Sequence, residues 1–206
     1  MIITDANKTK RGRISIWVDG AFLFAVEEES WLLSGLSVGD QVDETLLNTL
    51  LEQSHEKAAK RRALNMLSAR SYSAKGLERR LCEKTSATAA KTAVARMQAL
   101  GLVDDEAYAL RYAQELFSSR GYAPRRIQYE LKKRGISSEN CALAMEQLNC
   151  EDFGARAIAL LSSRFGSLTC EADTRRAAAL LERYGYSYAD INGAIRALSQ
   201  LALDED

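Results

Sequence analysis

The segment GYAPRRIQYELKKRGI, from Gly121 to Ile136, gathers residue types suited to anions around a single ring. On a helix with about 100° per residue, Arg125, Arg126, Lys132 and Lys133 fall within an arc of about 120°, with Tyr129 in its middle. Ile127 and Leu131 fall on the opposite side, and Arg134 follows at the end of the strip. Cations are mildly disfavoured at a helix N-terminus, so helix stability does not account for Arg125 and Arg126. A basic strip centred on an aromatic ring suits a nucleic-acid backbone with an exposed base, or an acidic protein groove with one apolar pocket. The competing reading is a solvated face whose tyrosine packs on a neighbouring helix.

A related basic set lies upstream, with Lys75, Arg79, Arg80 and Lys84 on one predicted helix and Lys57, Lys60, Arg61 and Arg62 on the helix before it. Arg79 takes the position of Tyr129. In a third related stretch the chemistry is replaced by Ala189, Asp190 and Gly193. Two basic copies are therefore expected to bind one surface while the third contacts something else.

Residues for catalysis are missing from this pattern. His55 has no second histidine with which to share a metal or activate a nucleophile, and it is expected at the surface. The glycines are scattered singly, without a phosphate loop, and no HExxH or GxSxG element occurs. The acidic pairs Asp104-Asp105 and Glu151-Asp152 each precede a helical run, where carboxylates cap N–H groups. No catalytic residue, metal or cofactor is expected. Cys82, Cys141, Cys150 and Cys170 form no CxxC pair and are read as reduced thiols, mostly buried.

Charge is distributed in blocks, although the 206 residues carry 28 basic and 28 acidic side chains. Residues 1–56 hold 4 basic and 10 acidic groups, residues 57–134 hold 18 and 7, and residues 135–206 hold 6 and 11. A positive centre between acidic ends points to a face for phosphates or an acidic protein surface. With 47% hydrophobic residues the chain can bury a sizeable core. No apolar run approaches the roughly 20 residues of a membrane span, and the N-terminus lacks a signal-peptide core, so a cytoplasmic protein without membrane contact is expected.

These side chains need elements to position them. RISIWV and AFLFAV, joined by Asp19-Gly20, predict a hairpin or small sheet. Asp43 can cap a helix running to about Arg70, with Leu46, Leu47, Leu50 and Leu51 among its apolar residues, and the pattern beyond is helical. Three windows then align without gaps: RSYSAKGLERRL from Arg70, RGYAPRRIQYEL from Arg120 and YGYSYADINGAI from Tyr184. Each has a tyrosine, a small residue, and aliphatic residues four and eight positions after the small one. With the small residue as N-cap, the tyrosine and the first aliphatic form a hydrophobic staple, and Pro124 falls at N1. Each window thus marks a junction between helices. In the third copy, ARAIALLSSRF counts as an extra helical run of ambiguous register, and Gly166 to Asp173 as an irregular insert. The expected fold is mainly all-α, with tandem three-helix repeats in an elongated array after a small β-rich segment. The divisions are 1–42, 43–103, 104–150 and 151–206, and nothing in the pattern requires more than a monomer.

The elements ALNMLSARSYSAKGLERRL, LGLVDDEAYALRYAQELFSSRGYAPRRIQYELKKRGI and LLERYGYSYADINGAI resemble the RecX family, regulators of the bacterial recombinase RecA. The resemblance covers about residues 57–200 and is most specific in the middle element; the β-rich start is similar to the extension of longer members. It implies three tandem three-helix repeats in a curved shape, no enzymatic activity, and binding to RecA and its filaments on single-stranded DNA. It further implies restraint of filament growth, ATP hydrolysis, strand exchange and SOS co-cleavage. Family binding surfaces are basic and concave, which matches Arg125, Arg126, Lys132 and Lys133 most directly. One alternative is a helix-turn-helix transcription regulator, which should select a duplex sequence; against it, the lysines and arginines here suit phosphates better than bases. The other is an enzyme with an unrecognised site, which a loss of activity on changing Asp104, Asp105 or His55 would revive.

Overall fold

The computed structural model describes residues 1–148, 152–166, 168 and 170–204, so Cys150 and Glu151 lie outside the described residues. The chain divides into two compact units, Met1–Asp104 and Asp105–Asp206.

The first unit begins with a three-stranded antiparallel sheet of β1 (Ile3–Lys8), β2 (Arg13–Val18) and β3 (Ala21–Glu27), in that order. Asp19 and Gly20 join β2 to β3 with φ of 49° and 82°, the pair of positive values that a two-residue I′ turn demands. Ile14, Ile16 and Val18 alternate onto the inner face and meet Ile3, Val26 and Val42. β1 was not legible in the sequence, because ITDANK buries only Ile3 and is otherwise a polar edge strand. A short helix α1 (Glu28–Ser34) follows, another element the sequence pattern did not mark.

Helix α2 (Glu44–Ala69) starts where Asp43 accepts a hydrogen bond from the Leu46 amide at 2.7 Å. Leu47 and Leu50 on its first turns close the sheet core. Ala59 and Ala63, further along, enter a second core with Leu77 and Leu81 of α3 (Ala74–Cys82) and Ala89, Ala90, Ala93 and Met97 of α4 (Ala87–Ala99). Alanines at these positions allow close helix approach, and one long helix thereby joins the sheet to the first three-helix group.

The second unit holds α5 (Asp105–Arg120), α6 (Pro124–Lys133) and α7 (Ser138–Leu148) around Ala109, Phe117, Ile127, Leu131 and Met145. It continues with α8 (Phe153–Phe165), α9 (Glu171–Tyr184) and α10 (Tyr188–Asp204) around Leu161, Leu181, Tyr186 and Leu198. The window chemistry is present as expected. Ser73 accepts from the Gly76 amide at 3.1 Å, and Pro124 opens α6 behind the N-cap Ala123. Ser187 and Asp190 exchange hydrogen bonds in a capping box at 3.1 and 3.2 Å. Asp152 likewise caps α8 through the Ala155 amide.

Three expectations need correcting. The first two windows join the first and second helices of their groups, α2 to α3 and α5 to α6, but the third joins the second and third, α9 to α10. A staple with a cap is a local device that serves any helix junction, so it aligned by chemistry rather than by place in the bundle. Consequently ARAIALLSSRF is not extra: it is most of α8, the first helix of its group, and the insert from Gly166 is the connection to α9, anchored by buried Leu168. The thiols are not mostly buried either. Cys141 is, but Cys82 on the outer face of α3 and Cys170 at the start of α9 are exposed. His55 is half-buried, its Nδ1 3.8 Å from the Glu52 carboxylate.

Candidate functional site

Helix α6 is short and strongly two-sided. Ile127 and Leu131 are fully buried, which fixes the opposite face to solvent. That face presents Arg125, Tyr129, Lys132 and Lys133, with Tyr129 55% exposed. Arg125, Lys132 and Lys133 enter no ion pair among the described residues. Three free cations around an open phenol ring can engage phosphates or carboxylates while the ring stacks on a base or an apolar group.

Arg126 and Arg134 have other partners. Arg126 is half-buried, with a guanidinium nitrogen 2.7 Å from Glu130, and it lies over the rings of Tyr122 at 5.5 Å and Tyr129 at 5.2 Å. It therefore steadies Tyr129 from the inner side of the strip. Glu130 was the signal in the sequence, four residues on, where an ion pair along a helix forms. Arg134 donates to the phenol oxygens of Tyr108 at 3.1 Å and Tyr112 at 3.2 Å and stacks over the Tyr112 ring. Partial burial draws its pKa down, but the two phenols outweigh this and hold it above its usual value.

The start of α6 is seated on the third helical group. The Ala123 amide donates to the Tyr184 carbonyl at 2.9 Å, and the Tyr186 hydroxyl donates to the Gly121 carbonyl at 3.2 Å. Tyr122 meets Tyr184 edge-to-face at 5.3 Å, and Ala123 itself is buried in the α8–α10 core. Arg156 of α8 reaches the Phe117 carbonyl and covers the Phe117 ring. Two of the repeated windows thus clasp each other, and this clasp sets the direction of the basic face.

In the first unit, Lys75 and Arg79 project from α3 and enter no ion pair among the described residues, while Arg80 lies 3.5 Å from Glu83. Lys60 and Arg62 on α2 are exposed. Arg61 is committed to Glu27 at 2.7 Å and Lys57 to Glu29 at 3.1 Å, so the acidic end of β3 and the start of α1 neutralise part of this helix. These pairs join residues far apart in the chain and had no sequence signal. Among the described residues no group of three or more His, Cys, Asp or Glu is placed to hold a metal, and no helix is long and apolar enough to cross a membrane.

Comparison with known proteins places this architecture. The family model described as RecX, second three-helix domain, matches residues 104–145, which span α5, α6 and most of α7. The regulatory protein RecX of Stenotrophomonas maltophilia is 35% identical over 147 residues, covering 68% of this chain and 87% of that protein. The regulatory protein RecX of Levilactobacillus brevis is 28% identical over 169 residues; the match takes in 80% of this chain and 64% of the relative's length. A crystal structure of a regulatory protein RecX superposes with a TM-score of 0.65 at 22% identity, over 95% of this chain and 98% of that one, and supports the same fold. On the sequence relationship, with the helical groups in agreement, this chain belongs to the RecX family.

Proposed function

We propose that the protein is a regulator that binds the RecA recombinase and its filaments on single-stranded DNA. In this reading it restrains RecA's ATP hydrolysis, strand exchange and SOS co-protease activity, and it acts in the cytoplasm as a monomer without catalysis of its own. The observation that carries the reading is the exposed face of α6, where Arg125, Lys132 and Lys133 surround Tyr129 on a helix seated firmly at its N-terminus. Unpaired cations on a rigid support suit an acidic protein groove or a phosphate backbone, because little ordering remains to be done on contact. Lys75, Arg79, Arg80, Lys60, Arg61 and Arg62 form the corresponding set in the first unit, with Arg126 and Arg134 positioning the aromatic groups beside the α6 strip.

The test is RecA's ATP hydrolysis on single-stranded DNA with this protein below one copy per RecA. Native protein should slow hydrolysis, and a variant with Arg125, Lys132 and Lys133 changed to alanine should not. An unchanged rate with the native protein would remove RecA as the partner.

A further inference from the structure

Within the first unit, the sheet, α2 and the turn between α3 and α4 line an open pocket of about 360 Å³ whose wall includes Arg13, Glu27, His55, Arg61, Arg62 and Lys84. Arg13 opens β2 and faces Glu27 across the ladder at the end of β3. Glu27 is buried, and its amide donates to the Ser54 hydroxyl at 2.7 Å. One of its carboxylate oxygens lies 2.7 Å from Arg61 Nη1 and the other 3.7 Å from Arg13 Nε. A single carboxylate thereby orients two guanidinium groups and offsets only one of their charges. Arg62 and Lys84 add two further cations that enter no ion pair among the described residues.

Two polar atoms at this wall, Arg13 Nε and His55 Nδ1, are shielded yet have no hydrogen-bond partner. A shielded donor without an acceptor costs free energy, so the arrangement is incomplete as it stands. Arg13, which also donates through Nη2 to the Ala25 carbonyl, and Arg61 are oriented by one carboxylate, and the exposed side chains of Arg62 and Lys84 line the same pocket. Four cations around one carboxylate, with an unsatisfied guanidinium N–H among them, suit a compact anion with several oxygens.

We propose that this pocket binds a phosphate group, held by the guanidinium forks of Arg13, Arg61 and Arg62 and the ammonium of Lys84. Guanidinium groups match phosphate oxygens in pairs, and a pocket of this size admits a pyrophosphate or one phosphodiester with its sugar. The phosphate can come from a free nucleotide or from a nucleic-acid backbone. The site shares Arg61 and Arg62 with the surface proposed above but requires no recombinase. It also gives the β-rich segment a role, since the sheet supplies both Arg13 and the carboxylate that aims it.

The full chain is titrated calorimetrically with inorganic pyrophosphate and, separately, by fluorescence anisotropy with a labelled oligothymidylate. The variant Arg62→Gln with Lys84→Gln removes two cations that make no internal pair, and Lys91→Gln with Arg96→Gln on exposed positions of α4 removes the same charge elsewhere. At least one probe should bind and weaken by about tenfold or more in the first variant, the loss expected for two charge-assisted contacts, and stay within twofold of native in the second. Binding of pyrophosphate alone identifies a free phosphate as the source, and binding of the oligonucleotide alone identifies the backbone. If neither probe binds, or if both double variants lose affinity equally, the proposal is overturned. Thermal melts accompany each titration, and Lys84→Gln alone, in the loop before α4, serves where the double variant melts early.

Discussion

The backbone nitrogen of Arg126 occupies the space that a side chain at Gly185 would need. A Cβ at that position would overlap the Arg126 nitrogen and crowd its Cβ at 2.7 Å, and Gly185 also has a φ of +87°. The last turn of α9 and the first turn of α6 are therefore in backbone contact, which only glycine permits.

Replacing Gly185 with alanine should cost about 2–5 kcal/mol, combining a left-handed conformation with overpacking. Gly121 provides the comparison, since it has a φ of +66° in the same unit but open space around its Cα. Gly121→Ala should cost only the conformational part, about 1–2 kcal/mol. Urea denaturation of both variants measures the difference, and equal losses would show that the close approach contributes nothing.

Arg126 and Glu130 form an i,i+4 pair with the arginine also over two rings. A double-mutant cycle with Arg126→Ala and Glu130→Ala should return a coupling of about 0.5 kcal/mol, in keeping with a partly exposed helical pair. A coupling of zero would mean that Arg126 is held by the tyrosine rings alone.

If the α6 face contacts single-stranded DNA phosphates, changing Arg125, Lys132 and Lys133 to glutamine should reduce the salt dependence of binding. For three lost contacts the slope of log K against log salt should become shallower by about 2. An unchanged slope with native affinity would place the DNA elsewhere on the protein.

Thiol reactivity should separate the cysteines. Cys82 and Cys170 are exposed, whereas Cys141 is buried. Burial raises the Cys141 pKa above its ordinary value, against a smaller opposing effect from Lys132. With a thiol reagent near pH 8, Cys82 and Cys170 should react quickly and Cys141 only after unfolding. Peptide mapping of the labelled protein reads this directly, and fast labelling of Cys141 would contradict its packing in the α5–α7 core.

Tyr186 supplies a pH test. Burial raises its phenol pKa, with a smaller opposing effect from Arg156 and a further raising effect from Asp190 and Tyr184. The folded chain holds this proton more tightly than the unfolded chain. Its stabilising contribution is therefore complete below the ordinary tyrosine value of 10.0 and is lost as pH rises through the raised folded value. Tyr186→Phe should lower stability by about 1 kcal/mol at neutral pH, through the lost bond to the Gly121 carbonyl, and flatten the alkaline decline. A decline as steep in the variant as in the native protein would assign it to other groups.

Local signals in the sequence were reliable where one residue suffices to specify geometry. Asp19-Gly20 defined the hairpin, Asp43 the start of α2 and Pro124 the start of α6. The two-sided pattern around Ile127 and Leu131 also identified which face of α6 is exposed. What escaped was set by distant neighbours. ITDANK carries too few apolar residues to mark β1, and only the sheet makes it a strand. The pairing of Arg61 with Glu27 and the seating of Ala123 in the α8–α10 core depend on tertiary placement that no periodicity records. The third window shows the complementary limit: the local device was correctly identified, but its place in the helical group depended on α8, which the window itself does not contain.

The burial of Ala123 in the core of α8–α10 bears on how this chain can be divided. A fragment ending after α7 would leave the first residue of the α6 cap in water and remove the carbonyl that receives its amide. The basic face would then lose the seat at the start of α6, although Ile127 and Leu131 would still hold the helix on the α5–α7 core. For dissection by truncation, the second compact unit is therefore a better piece than a single helical group.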